Sequence, residues 1–135
     1  MNSYPICAAV YARYSSHEQD GGESIEFQVR KATEFIENQG WALSSENIFI
    51  DRARSGTTTY RRDAFNRMLG LVKEKDCPFK VIVVWHTSRF GRDQDEAMFN
   101  KVYLKRHGVD VKFVSQNIPD GHIGKLIERI YEWKD

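Results

Sequence analysis

The sequence predicts an α/β fold: a mainly parallel sheet flanked by helices on both faces, ending in a long helix cut short at the C-terminus. Three observations carry this reading. Four short β-branched runs alternate with stretches of helical period, and those runs are apolar almost without interruption. The chain has 135 residues, no internal repeat and no low-complexity tract, which is the length of one domain with a sizeable core. Strands that are apolar at consecutive positions are buried on both faces, and crossover helices cover both faces of a parallel sheet.

In chain order, the strands are read in "CAAVYARY" (7–14), "NIFID" (47–51), "KVIVVW" (80–85) and "VDVKFV" (109–114). The first helix follows from Ile25, Val29, Ala32 and Ile36, which share one face at helical spacing, with Ser24 as its N-cap and Gly40 just beyond its end. Phe65, Met68, Leu69 and Val72 mark the second, and Phe99, Val102, Tyr103 and Arg106 the third, which Gly108 follows. Ile123, Leu126, Ile127 and Ile130 form an apolar stripe in a last helix that reaches Asp135 without a stop signal. Tyr14, Trp41 and Trp85 are expected in the core or at its edge, and Lys101, Lys105 and Arg106 on a solvated face.

Composition narrows the function classes. Cys7 and Cys77 have neither the number nor the spacing of a disulfide framework or a zinc site, and they read as free thiols in a reducing compartment. No basic leader with an apolar run and no membrane-spanning stretch opens the chain, so the cytoplasm is the expected location. The net charge is only +1, but residues 52–92 hold ten Lys and Arg against Asp63, Glu74 and Asp76, a local excess of +7. Such segregation makes a face for an anionic ligand.

In a parallel sheet, ligands bind at the carboxyl ends of the strands. The segments leaving those ends are "RYSSHEQDGGE", "DRARSGTTTYRR", "HTSRFGRD" and "SQNIPDGHIG", three of them rich in arginine and hydroxyl groups. They would gather Arg13, Arg89, Arg92 and Arg61 or Arg62 around Ser15. Several guanidiniums around a serine suit a phosphodiester, whose transition state spreads negative charge over its non-bridging oxygens. Elbow, P-loop and dinucleotide glycine motifs are absent, and no cluster has metal-ligand spacing, so no metal and no cofactor are expected. His17, two residues from Ser15, could act as a base but has no acidic orienter, and Ser16 reads as a turn hydroxyl.

"YARYS" followed by Gln19, then "SIEFQ", "DRARSG", "RDAF" and "SRFGRD", resemble in order the N-terminal catalytic domain of the serine recombinases, the resolvase/invertase family. The long segment between Ser15 and Gln28 is more similar to the large serine recombinases and integrases. The resemblance implies a resolvase-like fold and a site-specific recombinase that cuts and rejoins DNA through a covalent 5′-phosphoserine. It makes Ser15 the nucleophile, Arg13, Arg89 and Arg92 the phosphate clamp, Gln19 and Gln28 the active-site glutamines, and Asp51 the acid that opens the loop after the second strand. Counting from Ser55-Gly56 gives Arg61 as the active-site loop arginine; counting back from Phe65 gives Arg62, which is preferred because a helix register shifts less easily than a loop. Arg54, Arg61 and Ser88 are assigned to DNA contact.

Ser88 stands where the family usually has aspartate. That departure favours the alternative, a non-catalytic DNA-binding or assembly module on the same fold. The expected division is 1–122 for the catalytic domain and 123–135 for the start of the interdomain and dimerisation helix, with the C-terminal DNA-binding region absent. The expected partners are DNA and a second copy of the chain, a dimer that becomes a tetramer at synapsis, with no membrane. Residues 1–135 alone are expected to fold, to associate weakly and to recombine nothing.

Overall fold

The computed structural model describes residues 5–14, 23–52, 62–91 and 93–116. The elements are β1 (Cys7–Tyr14), α1 (Ile25–Asn38), β2 (Ala42–Arg52), α2 (Asp63–Lys73), β3 (Val81–Val84), α3 (Gln94–Arg106) and β4 (Asp110–Phe113). A single 3₁₀ turn, Thr87–Arg89, lies between β3 and α3. The expected helix from Ile123 and the division at residue 122 lie outside the described residues.

All described strand pairs are parallel, in the order β2-β1-β3-β4. Side chains alternate across each strand, so β1 serves two cores at once. Ala8 and Val10 face α1 together with Val81, Val83, Ala32 and Ile36. Ala9 and Tyr11 face α2 and α3 with Phe49, Phe65, Met68, Ile82, Val84, Phe90 and Val102. The near-continuous apolar runs are thus strands covered on both sides, as expected for a parallel sheet between helical layers.

Local chemistry sets the helix ends. Ser24 accepts a hydrogen bond from the Phe27 amide at 3.1 Å and caps α1. After α1, Gly40 takes φ 75°, its amide bonds Glu37 O at 3.0 Å, and the Trp41 amide bonds Ile36 O at 3.1 Å. Phe35 and Trp41 stack edge to face over this reversal, 5.9 Å between centroids. Gly108, at φ 85°, ends α3 in the same way, with Val109 bonded to Leu104 O. Trp85 packs on Phe27 at 4.9 Å, at the edge of the core.

Three expectations need correction. β2 is longer than "NIFID": it starts at Ala42, and a register shift between Ala8 and Val10 in its pairing with β1 absorbs the polar "SSEN". The buried face of α3 is Ala97, Met98, Lys101, Val102 and Leu104, while Phe99 is 50% exposed. Phe99 and Arg106, expected on the packed face from the apolar spacing, therefore lie off the buried face, and Lys101, expected in solvent, is buried.

Lys101 is buried because its stem fills the core and its ammonium meets β4, the outermost of the described strands. Its Nζ donates to Val111 O and pairs with Asp110 Oδ1 at 3.5 Å, while the Val111 amide donates to the same Oδ1 at 2.8 Å. Val111 turns its backbone groups away from β3, and this clip occupies both of them. Burial holds the Lys101 ammonium below the usual lysine range, opposed by the Asp110 charge. Burial pushes the Asp110 carboxyl up, but Lys101, the Val111 amide, Lys112 and Lys105 together hold it below its ordinary value.

Lys101→Ala is expected to cost about 2–3 kcal/mol in urea unfolding, by cavity and lost hydrogen bond, and Lys101→Met about 1 kcal/mol because the stem is kept. A lysine whose folded pKa is depressed binds its proton more tightly in the unfolded chain. The wild type should therefore gain stability relative to Lys101→Met as pH rises toward about 10, the ordinary lysine value.

Candidate active site at the strand carboxyl ends

The chain leaves β1 toward β2 on one side and returns past β1 to β3 on the other. Right-handed crossovers then put α1 on one face and α2 and α3 on the opposite face, and a crevice opens between the carboxyl ends of β1 and β3. Arg13 is the residue before the end of β1, and Arg89 sits in the turn that follows β3. Both are buried, and an Arg13 Nη2 donates to Ser88 O at 2.6 Å, which joins the two strand ends. Burial first, and then the charge of Arg13, hold the Arg89 guanidinium below its usual pKa. An anion at this crevice would be drawn by both cations.

The Arg89 turn is held by its neighbours. His86 Nδ1 accepts from the Ser88 amide at 3.0 Å and lies 3.0 Å from Ser88 Oγ, so the neutral ring carries its proton on Nε2. The Thr87 amide donates to Gln116 Oε1 at 3.0 Å. Gly91 has no room for a side chain: a Cβ there would lie 2.5 Å from the Ala97 backbone nitrogen. That close approach brings the start of α3 against the turn.

Gln28 fixes the end of β1 from α1. Its Oε1 accepts from the Arg13 amide at 3.3 Å, and its Nε2 donates to Arg13 O at 3.0 Å and Glu23 O at 2.9 Å. The side-chain amide acts as one more rung on the strand, in the residue pair before Ser15. Glu23 in turn reaches Arg89, with Oε2 3.2 Å from Nη2.

Asp51 has a different setting. Its Oδ1 accepts from the Ala64 amide at 2.8 Å, and its Oδ2 from the Phe65 amide at 3.1 Å and the Tyr11 hydroxyl at 2.7 Å. It caps α2 from β2, a task that the N-cap residue Arg62 leaves undone. Arg62 lies over the Phe65 ring at 3.6 Å, donates from Nε to Tyr11 Oη at 3.3 Å and from Nη2 to Phe90 O at 2.9 Å, and has Nη1 3.7 Å from Glu96 Oε1. Burial, reinforced by Asp51 and offset by Arg62, raises the Tyr11 phenol above its ordinary pKa, so it donates to Asp51 at all physiological pH.

Of the residues singled out in the sequence, Arg13, Gln28, Ser88 and Arg89 meet at the β1–β3 crevice. Asp51 and Arg62 form a buried group with Tyr11, which shares with Arg13 one face of β1. Ser15, Gln19, Arg54, Arg61 and Arg92 lie outside the described residues. Sequence reading passed over Tyr11, Glu23, His86, Gly91 and Glu96. Tyr11 carried a signal in its even spacing from Arg13; Glu23 carried none, being one acid among several. Among the described residues, no group of three His, Cys, Asp or Glu could hold a metal ion, and no helix is long and apolar enough to cross a membrane.

Asp51→Asn is expected to destabilise the fold by about 2–3 kcal/mol in urea unfolding, since an amide cannot accept all three donors and one buried N–H or O–H loses its partner. Tyr11→Phe should cost less, about 1 kcal/mol, because both backbone caps survive.

Residues 8–133 match the family model described as the resolvase N-terminal domain. No curated protein matches the sequence. Among solved structures, the chain is similar to the N-terminal catalytic domain of TP901-1 integrase, with 20% identity over 95% of each chain and a TM-score of 0.70. It is similar to a resolvase family site-specific recombinase from Streptococcus pneumoniae, with 22% identity over 96% of this chain and 88% of that one and a TM-score of 0.77. It also resembles the C-terminal catalytic domain of ISC1926 TnpA, an IS607-like serine recombinase, with 22% identity, 93% and 78% coverage and a TM-score of 0.64. These likenesses show a shared fold, and the family match spans the β1–β3 crevice and its arginines. The chain therefore belongs to the resolvase N-terminal domain family, the catalytic domain of the serine recombinases, enzymes of site-specific recombination that exchange DNA strands.

Proposed function

We propose that Ser15 is the nucleophile and that Arg13 and Arg89, with Arg92, hold the scissile phosphate. The observation that carries this is the approach of two buried arginines, Arg13 near the end of β1, two residues before Ser15 in the chain, and Arg89 in the turn after β3. The Ser15 hydroxyl oxygen attacks phosphorus, the bond to the 3′-oxygen breaks, and the serine proton is lost as the departing oxygen gains one. The products are a 5′-phosphoserine and a 3′-hydroxyl. The 3′-hydroxyl of an exchanged strand then attacks the same phosphorus and releases the serine.

The protein's part is position and charge. Planar guanidiniums grip two oxygens at once and neutralise charge that builds on them in the transition state. Gln28 acts by positioning the strand end that leads to Ser15. Asp51 acts at one remove: it caps α2 and, through Tyr11, orients Arg62, whose role as the active-site loop arginine shares this reading with Arg61. Gln19 would sit beside the nucleophile, and Arg54 and Ser88 on the DNA path. We place the reaction in the cytoplasm, in a dimer that pairs into a tetramer when two DNA sites meet, with no metal or nucleotide taking part.

Ser15→Ala is expected to abolish covalent protein–DNA adducts on a suicide DNA substrate while DNA binding, followed by anisotropy, stays nearly unchanged; Ser16→Ala should still form them. Adducts in Ser15→Ala would mean that another residue attacks. Arg89→Lys keeps the charge and loses the fork, so its cleavage rate should fall roughly a hundredfold or more. A near-wild-type rate would remove Arg89 from the clamp.

A further inference from the structure

The Glu23 carboxylate sits where a phosphate oxygen would be useful, with Oε2 3.2 Å from Arg89 Nη2. We propose that Glu23 is an internal stand-in for the DNA phosphate: it occupies Arg89 in the DNA-free protein and must leave for the scissile phosphate to bind. The inference rests on the reading of Arg89 as a phosphate-binding residue and adds a competitor for it.

The two partners are unequal. The Arg89 side chain is 5% exposed and the Glu23 side chain 37%, so the pair opens by movement of the carboxylate into water. Only the side chain needs to move. Glu23 O is held by Gln28 Nε2 at 2.9 Å, and the next residue, Ser24, is fixed as the cap of α1. Arg89 stays in place, in its turn capped by His86.

Electrostatics makes the exchange close to neutral. Arg13 and Arg89 are near enough for the charge of one to depress the pKa of the other, so this end of the crevice favours a negative group. Glu23 supplies one negative charge, and a phosphodiester brings one negative charge in return. The diester has two non-bridging oxygens, which lets one ligand span both arginines, whereas the carboxylate contact described is with Arg89. Glu23 therefore tempers affinity for any DNA backbone while leaving the built site intact.

The test is anisotropy of a fluorescein-labelled mixed-sequence DNA duplex at low ionic strength, on the wild type, Glu23→Gln, Arg89→Ala and the double variant. Glu37→Gln, an exposed acid on the far turns of α1, measures the effect of one lost negative charge by itself. Glu23→Gln should bind roughly two- to fivefold tighter than Glu37→Gln, the scale of a half-exposed ion pair. On the Arg89→Ala background, that excess should vanish. Glu23→Gln that binds no tighter than Glu37→Gln, or more weakly, while Arg89→Ala weakens binding, would overturn the proposal and leave Arg89 as a phosphate contact. Unchanged binding and cleavage in Arg89→Ala would overturn the reading of Arg89 itself, and the proposal with it.

Discussion

The Asp51 carboxylate ties three elements together with two oxygen atoms. It lies one residue before the end of β2, accepts the hydroxyl of Tyr11 from β1, and receives the Ala64 and Phe65 amides that open α2. A helix start has amides with no partner in the helix itself, and a buried carboxylate needs several donors, so each solves the cost of the other. From there the contacts run outward. Tyr11 Oη meets Arg62 Nε, and Arg62 Nη2 meets Phe90 O beside Gly91, against which α3 begins. The position of the Arg89 turn relative to β1 depends on this chain of contacts.

A second set of contacts governs the crevice itself. Gln28 pins the last residues of β1 from the α1 side, and Arg13 bridges to Ser88 O at the end of β3. Two kinds of arginine result. Arg13 and Arg89 lie at the switch in strand order with their charges close enough to interact, which suits a ligand that is an anion. Arg62 is engaged by the Tyr11 hydroxyl, the Phe90 carbonyl, the Phe65 ring and Glu96, and that setting suits a residue that organises α2 and α3.

Ser88 presents its carbonyl to Arg13 and its amide to His86. Both contacts use the backbone. The bridge from Arg13 therefore runs through the backbone of position 88, while the Ser88 hydroxyl lies 3.0 Å from His86 Nδ1 in the cap of the turn.

The order of the described strands and helices, the caps at Ser24, Gly40 and Gly108, and the placing of Arg13 and Arg89 at strand ends were legible in the sequence, because each rests on local rules: periodicity, backbone freedom and the direction of parallel strands. Lys101 was misread because spacing locates an apolar stripe but cannot tell that Asp110 and a strand edge will receive an ammonium 9 or 10 residues away. Phe99 was misplaced for the converse reason: an apolar residue is free to face water when its neighbours already fill the core. Glu23 on Arg89 and Asp51 under α2 join residues 66 and 13 positions apart, and such pairings exist only once the sheet is assembled. By itself the sequence determined the fold class and the chemistry gathered at the strand ends; the packing of α2 and α3 on one face of the sheet decided which arginines line the crevice and which are built into the core, because that depends on distances between segments remote in the chain.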